Sequence, residues 1–558
     1  MVMRTGGQIL VDALRAQGAD LAFGVPGESY LAVLDALHDT PDFRFTICRQ
    51  EGGAAMMADA YGKMTGKPGL CFVTRGPGAT NASPGVHIAQ QDSTPMILFI
   101  GQVARDQVDR EAFQEVDYRR MFGQLAKWVA QIDDAARIPE YISRAYHTAT
   151  TGRPGPVVLA LPEDMLRELA DVEDVPASPL VEAHASSDDL STMQDMLNGA
   201  EKPFVILGGG GWDADACTNM EAFAAAWNLP VGASFRAQDR MNNDHPNYVG
   251  DVGIGINPKL AERVREADVL LVIGARLGEM TTGNYTLIQS PNPKQKLIHV
   301  YPGAEELGRV FRPTLGINAG MRSFLSAAAA LNAKPGNYAE RTKTARADYE
   351  EWTAAPAPVP GDVQMGEVVH WIRDNLSADT VICNGAGNYS SWIHRFHRFR
   401  SYRTQLAPTS GSMGYGTPAA VAAKIMYPER DVIAFAGDGC FMMNGQEFAT
   451  AVQYDANIMI FVVNNGMYGT IRMHQEREYP ARVSGTELKN PDFAAMAVAY
   501  GGHGEVVERT EDFEAAFKRA KASGKPSLIE FRIDPEGITP ATTLSAIREN
   551  ALTSSKGD

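Results

Sequence analysis

Two segments decide the fold: Asp431-Val-Ile-Ala-Phe-Ala-Gly437-Asp438-Gly439-Cys440 and, downstream, Ile458-Met-Ile-Phe-Val-Val-Asn464-Asn465. Each is a short apolar run that stops abruptly at polar residues, the pattern of a strand buried on both faces. In a parallel α/β sheet ligands bind at the carboxyl ends of the strands, so Asp438 and Asn465 are expected to converge on one spot. Their donors are oxygen only: the Asp438 carboxylate, the Asn465 side-chain carbonyl and the main-chain carbonyl of Met467. Such a set suits Mg2+, which keeps coordination positions for phosphate oxygens. Gly437 and Gly439 let the backbone approach those phosphates, with Cys440 next along the same turn. Gly-Asp-Gly alone is a common turn tripeptide, and the downstream Asn-Asn is what lifts it above one.

At 558 residues the chain exceeds a single core, and three domains fit it best. With 44% hydrophobic and 21% charged residues its composition is that of a globular protein. A balance of 51 basic to 67 acidic residues, net charge -16, argues against nucleic acid or an anionic membrane as a general partner. The five cysteines are scattered without Cys-x-x-Cys spacing, so neither a disulfide framework nor a zinc site is indicated. No signal-peptide core or membrane-length apolar run is seen, and a cytoplasmic location is expected.

Apolar runs alternate with helical periodicity along the whole chain, which predicts an α/β protein of three doubly wound parallel-sheet domains. The first spans residues 1–175. Its strands fall at Leu21–Gly24, Gly69–Val73, Met96–Ile100 and Val157–Leu161, with helices at 6–17 and 29–38. A polar linker at 171–179 leads to a second unit at 185–345, with strands at Phe204–Leu207, Val269–Ile273 and Leu297–Val300. The proline-rich Ala354–Gly361 should run extended and join this unit to a third at 362–545. Gly208–Gly211 follows a strand and suggests a nucleotide-binding turn, FAD among the candidates. The same glycines also serve close packing, and no acidic ribose partner stands at the expected distance.

Three further motifs carry chemistry. Arg49-Gln50-Glu51-Gly-Gly-Ala-Ala55 follows a strand-like Phe45–Cys48 and opens a helix of small residues. On its own Glu51 there would simply favour the positive end of the helix dipole. Thr409-Ser-Gly411-Ser-Met413-Gly-Tyr-Gly416 is a glycine-rich loop entering an alanine-rich helix, and Met413 alone reads as a core filler. Gly387-Asn388-Tyr389 follows the run Val381–Cys383.

Together, in this order, these motifs resemble the thiamine diphosphate enzymes across essentially the whole chain. The resemblance is greatest to acetolactate synthase large subunits, through Phe23-Gly-Val-Pro-Gly27, Ala112-Phe-Gln-Glu-Val-Asp117 and Pro246-Asn-Tyr-Val-Gly250. It implies the thiamine diphosphate-binding fold, with pyrimidine-binding, central and diphosphate-binding domains in turn. It also implies roles: Glu51 as the carboxylate on the aminopyrimidine, Gly411 and Met413 as its cradle, and Gly387, Asn388, Tyr389 and Gly437–Cys440 around the diphosphate. Asp438, Asn465 and Met467 become ligands of Mg2+. The activity implied is that of a decarboxylase/carboligase: an acyl carbanion formed from a 2-oxo acid with CO2 release, then passed to a proton or a carbonyl acceptor. Alternatives within the class are a simple 2-oxo acid decarboxylase, an oxalyl-CoA decarboxylase-like lyase and a flavin-dependent oxidase. Outside it stands a non-catalytic cofactor-binding relative. A homodimer or homotetramer with active sites between subunits is implied as well.

Several positions depart from the family pattern. Gln50 stands where His is frequent. Arg276-Leu-Gly-Glu-Met280 replaces Arg-Phe-Asp-Asp-Arg, whose second Arg helps bind the acceptor acid, and His474 stands where a Trp sorts acceptors. The cofactor machinery is therefore expected intact and the acceptor pocket altered. Glu28 and Gln114 are the first candidates for moving protons near the reacting carbon, with His87 and His474 behind them.

Overall fold

The computed structural model describes residues 3–554. Three six-stranded parallel sheets follow one another along the chain, and a short antiparallel pair, Arg4–Thr5 with Leu169–Ala170, closes the first unit. With strands numbered within each sheet by chain position, the first and third share the order 2-1-3-4-6-5 and the central sheet has 3-2-1-4-5-6. Every one of these orders reverses beside its first strand, and at such a reversal the flanking loops part and leave a crevice at the carboxyl edge. The expected strands are present, among them Val432–Gly437 and Met459–Asn464, which run side by side so that Gly437 pairs with Val463. Helices form at Gly6–Ala16 and Leu31–His38, the second preceded by a 3-10 turn at Glu28–Tyr30.

The first and third units share one hydrophobic core, and the helix Glu51–Thr65 lies in the middle of it. It packs on the helix Pro77–Asp92 of its own unit and on Gly416–Met426 of the third. The run Gly-Gly-Ala-Ala-Met-Met-Ala-Asp-Ala-Tyr-Gly is buried from Gly52 to Gly62, which only small side chains on both partners allow. A Cβ on Gly85 would fall 2.4 Å from the Ala55 Cβ, so the two helices touch almost backbone to backbone. The central sheet has its own core of large aromatic side chains, including Trp227, Phe223 and Phe324. The helix Ala339–Ala354 packs on that unit, and the chain leaves it through the irregular residues 355–364.

Far from Glu51, the buried helix is tied to the third unit by charge. Lys63 Nζ lies 2.8 Å from Asp59 and also bonds Asp92. The Tyr415 hydroxyl donates to Asp59 at 2.7 Å, and Asp92 accepts the Thr409 N–H at 2.9 Å. Burial pushes the Asp59 carboxyl up, opposed chiefly by the Lys63 ammonium. One cation thus serves two interior carboxylates that hold the start of the Thr409–Gly416 loop. Lys63→Met leaves both without a counter-charge and should cost about 3–5 kcal/mol of stability, read from denaturant unfolding of the full chain.

Candidate active site

The crevice of the third sheet gathers most of the motif residues. Asp438 is buried at the first turn of the helix Asp438–Asn444, directly after its strand. Its Oδ1 accepts the Gly439 N–H at 2.9 Å and its Oδ2 the Asn490 amide at 2.7 Å. Asn490 also donates to Asn464 Oδ1 at 2.9 Å, and Asn464 donates to Glu530 at 2.7 Å, so Asp438 is oriented by a chain of amides. Burial pushes its carboxyl up, against the Gly439 N–H, the Asn490 amide and the N–H groups of Gly466 and Met467. The last two lie in the Asn465–Met467 turn, where Asn465 Oδ1 accepts the Met467 N–H at 3.3 Å. Among the described residues no basic side chain pairs with Asp438, and a buried carboxylate in that state suits a cation. One carboxylate beside amide and main-chain oxygens is also why no cluster of three His, Cys, Asp or Glu occurs among the described residues.

Cys440 joins the motifs to one another. Its sulfur lies 3.3 Å from the Tyr389 hydroxyl and accepts the Gly414 N–H at 3.2 Å. Gly414 takes a φ of 79°, and a Cβ there would meet Met443 at 2.7 Å, so the loop can sit this low only as glycine. Tyr389 also accepts the Gly385 N–H and packs beside Gly437, which brings Gly387-Asn388-Tyr389 against the Gly437–Cys440 turn. Asn388 Oδ1 accepts from Thr470 at 3.0 Å. Gly411 is exposed and Met413 half-buried at the rim of the shared core.

Glu51 occupies the first turn of the buried helix, where the Gln50 side chain caps the Gly53 N–H at 3.1 Å. Gln50 thus fills the departure from the family with a capping role. The Glu51 carboxylate accepts from Asn81 at 2.9 Å, and among the described residues no hydrogen bond joins it to Asp438, Asn465 or Met413 of its own chain. The crevice of the first sheet holds the other acid. Arg75 bonds Glu28 and Glu163 at 3.1 Å each and the Phe113 carbonyl at 3.0 Å. Gln114 follows in a left-handed conformation, its Cβ above Gly76. One guanidinium therefore brings Glu28 and the Gln114 loop together.

A cavity of about 1940 Å³ lies against the central unit and reaches the other two, with Gln91 and Asp92 of the first and Gly387, Asn388 and Gly411 of the third in its lining, whereas Asp438 and Glu51 do not line it. Gly209–Gly211 and Arg276 line it, as do Met280, His474 and His87. The two positions that depart from the family pattern therefore face one space. The buried Arg236 there spends its terminal nitrogens on the carbonyls of Pro408 and Gly385, while its Nε and Asp251 Oδ1 have no hydrogen-bond partner. His474 stands on the helix Gly469–Glu478, and the last helix, Leu544–Ser554, docks on that element. Asn490, Arg75 and Asn81 went unnoticed in the sequence because they sit in loops or on an exposed helix face with no periodic signal.

Converging carboxylate, amides and glycine turns at the edges of paired doubly wound sheets define a cofactor-dependent α/β enzyme. Family models described as thiamine pyrophosphate enzyme match the chain in three parts: the N-terminal TPP binding domain at residues 4–121, the central domain at 190–328 and the C-terminal TPP binding domain at 385–531. The chain is 31% identical to the acetolactate synthase large subunit of Corynebacterium glutamicum, over 94% of this chain and 86% of that one. It is likewise 31% identical to the acetolactate synthase isozyme 2 large subunit of Escherichia coli, over 98% and 99%. The mitochondrial catalytic subunit of Saccharomyces cerevisiae is 29% identical, over 95% and 81%. The chain belongs to the thiamine pyrophosphate (thiamine diphosphate) enzyme family. Within that family it is of the acetolactate synthase-like kind.

The last helix is held by Arg548, which bonds both oxygens of the buried Glu476 at 2.7 Å. Arg548, with the Ala481 N–H and Arg472 in support, lowers the Glu476 carboxyl from its ordinary 4.5 to about 2. A depressed acid contributes stability that is complete above the ordinary value and is lost as pH falls through the folded one. Between pH 4.5 and about 2 the wild type should therefore lose stability more steeply than Glu476→Gln. Urea unfolding across that window measures the difference, and hydrogen exchange over residues 544–554 should rise with it.

Proposed function

We propose that this protein is a thiamine diphosphate- and Mg2+-dependent 2-oxo acid decarboxylase/carboligase of acetolactate synthase type. The observation that carries the reading is the meeting of Asp438, the Asn465–Met467 turn, Tyr389 and the Gly414 loop at one sheet crevice. When bound, thiamine diphosphate supplies the carbon nucleophile that adds to a 2-oxo acid and stabilises the charge left by CO2. Asp438, Asn465 and the Met467 carbonyl would hold Mg2+ against the diphosphate, with Gly387, Asn388, Tyr389, Gly437, Gly439 and Cys440 lining that end. Gly411 and Met413 would seat the pyrimidine, and Glu51 would hold a proton at its ring nitrogen. Glu28, steadied by Arg75, and Gln114 would move protons on the substrate.

Glu51 bonds Asn81 rather than any group of the Asp438 crevice of its own chain, which favours sites completed by a second copy in a homodimer or homotetramer. Among the described residues no helix is long and apolar enough to cross a membrane, in keeping with a cytoplasmic enzyme. Met280 in place of the family arginine removes a charge-assisted partner for an acceptor carboxylate, so selection for pyruvate as acceptor should be weakened. A bound nucleotide such as FAD is a second reading, favoured by the large cavity beside Gly209–Gly211 and Arg236. A flavin would make the purified protein yellow.

Three measurements test this. A screen of 2-oxo acids with added cofactor and Mg2+ should release CO2 from at least one, and silence from all, with no cofactor binding by calorimetry, would overturn the assignment. With pyruvate as donor, product analysis separates acetolactate from acetaldehyde. Glu51→Gln should lower turnover by about 100-fold or more while the fold persists, and wild-type activity in that variant would remove Glu51 from its role.

A further inference from the structure

Glu447 carries no role in the reading above, yet its side chain is fully buried. It ends a short 3-10 turn, Gly445–Glu447, that continues the helix Asp438–Asn444 without a break. Its carboxylate reaches into the first unit. Oε1 accepts the N–H of Gln50 at 2.9 Å and of Arg49 at 3.1 Å, and Oε2 the Arg49 N–H at 3.2 Å. Thr450 donates its hydroxyl to Oε2 at 2.6 Å. The Arg49 guanidinium bonds Gln453 instead at 2.6 Å, so main-chain donors and one hydroxyl satisfy the Glu447 carboxylate. On the other side of Glu51, a Cβ on Gly53 would lie 2.6 Å from Oε1. The backbone on both flanks of Glu51 is thus moulded on one carboxylate from the third unit, while the Glu51 side chain points to Asn81.

A tie between the two units would not need this arrangement, because Tyr415 and Thr409 of the third unit already donate to Asp59 and Asp92 at the far end of the same helix. What Glu447 adds is local: apart from the Thr450 hydroxyl, every bond its carboxylate accepts comes from the main chain beside Glu51. A carboxylate also suits the positive end of a helix, where it orders free N–H groups. We propose that Glu447 is a positioning residue for Glu51, fixing the turn from which Glu51 meets the cofactor. The proposal rests on the assignment of Glu51 given above. It gives the segment from Asp438 to Glu447 two tasks, a ligand at one end and a support for the activating acid at the other.

The test is Glu447→Gln in the full-length protein supplied with thiamine diphosphate and Mg2+. The amide keeps the size but turns an N–H2 group toward N–H donors. Turnover should fall about 100-fold, as expected for a misplaced catalytic group, with KM for the 2-oxo acid changed less than about twofold. Placed on top of Glu51→Gln, the same substitution should lower the residual rate no further, which a general packing defect would do. Hydrogen exchange at residues 49–53 should quicken in the variant, with residues 438–444 unaltered. Wild-type turnover together with wild-type exchange at 49–53, or additive losses in the double variant, overturns the proposal. Should Glu447→Gln fail to fold, Thr450→Val, which removes one donor and keeps the carboxylate, decides it: about a tenfold loss supports the clamp and full turnover refutes it. If the wild type releases no CO2, the assignment of Glu51 fails, whereas the exchange at residues 49–53 still reports on the clamp.

Discussion

Burial of the helix Glu51–Thr65 between two sheets is the constraint on which the rest of this structure depends. The helix belongs to the first unit by sequence, yet its core is shared with the third, and its small side chains let the neighbouring helices approach almost to backbone contact. A helix so placed cannot shift without opening both cores, because close-packed interiors do not deform continuously. Its ends are anchored by groups of the third unit, Glu447 at the amino end and the Tyr415 hydroxyl with the Asp92-bound Thr409 at the other. Glu51 therefore stands on one of the most firmly held elements in the chain, as the role proposed for it requires.

The architecture repeats one topological idea three times. Each sheet reverses its strand order beside its first strand, and each reversal holds a different set of groups. In the third sheet these are Tyr389 and the Asp438 turn; in the first, Glu28 and Arg75; in the central one, Gly208–Gly211 beside Gly274 and Arg276. The shared order of the first and third sheets lets their cores fuse around matched helices, which the differently ordered central sheet does not join. The Asp438 turn and Glu51 sit in the paired sheets, and the cavity runs from the central sheet to the Gly387–Asn388 turn and Gly411 of the third unit.

How much of this could be read in advance depends on the kind of signal. Strands buried on both faces, such as Val432–Gly437 and Val269–Ile273, are continuous apolar runs and were legible, as were the motifs at their ends. Short strands with small or polar residues inside them were not. Val231–Ser234 and Leu315–Asn318 each carry a glycine, and Gln405–Leu406 is two residues long, so none presents a run or an alternation. The site divides in the same way. Asp438, Asn465 and Glu51 lie in local patterns, whereas Asn490, Arg75 and Glu447 act across long chain separations that only the folded structure brings together.

How firmly each residue is tied into the fold bears on substrate choice. Residues of the Asp438 crevice are interlocked through hydrogen bonds, so a change in any one of them disturbs several others. Asp438 illustrates this, because its orientation passes through Asn490 to Asn464 and on to Glu530. Met280 and His474 have no such obligations: both line the cavity, and among the described residues the side chain of His474 makes one long contact, with Arg477. Positions without structural ties can change at little cost to stability, whereas buried networks cannot. Met280 and His474 accordingly depart from the family pattern where the fold leaves freedom, whereas Gln50, whose side chain caps Gly53 and whose N–H bonds Glu447, departs within a packed turn and takes up a capping bond there.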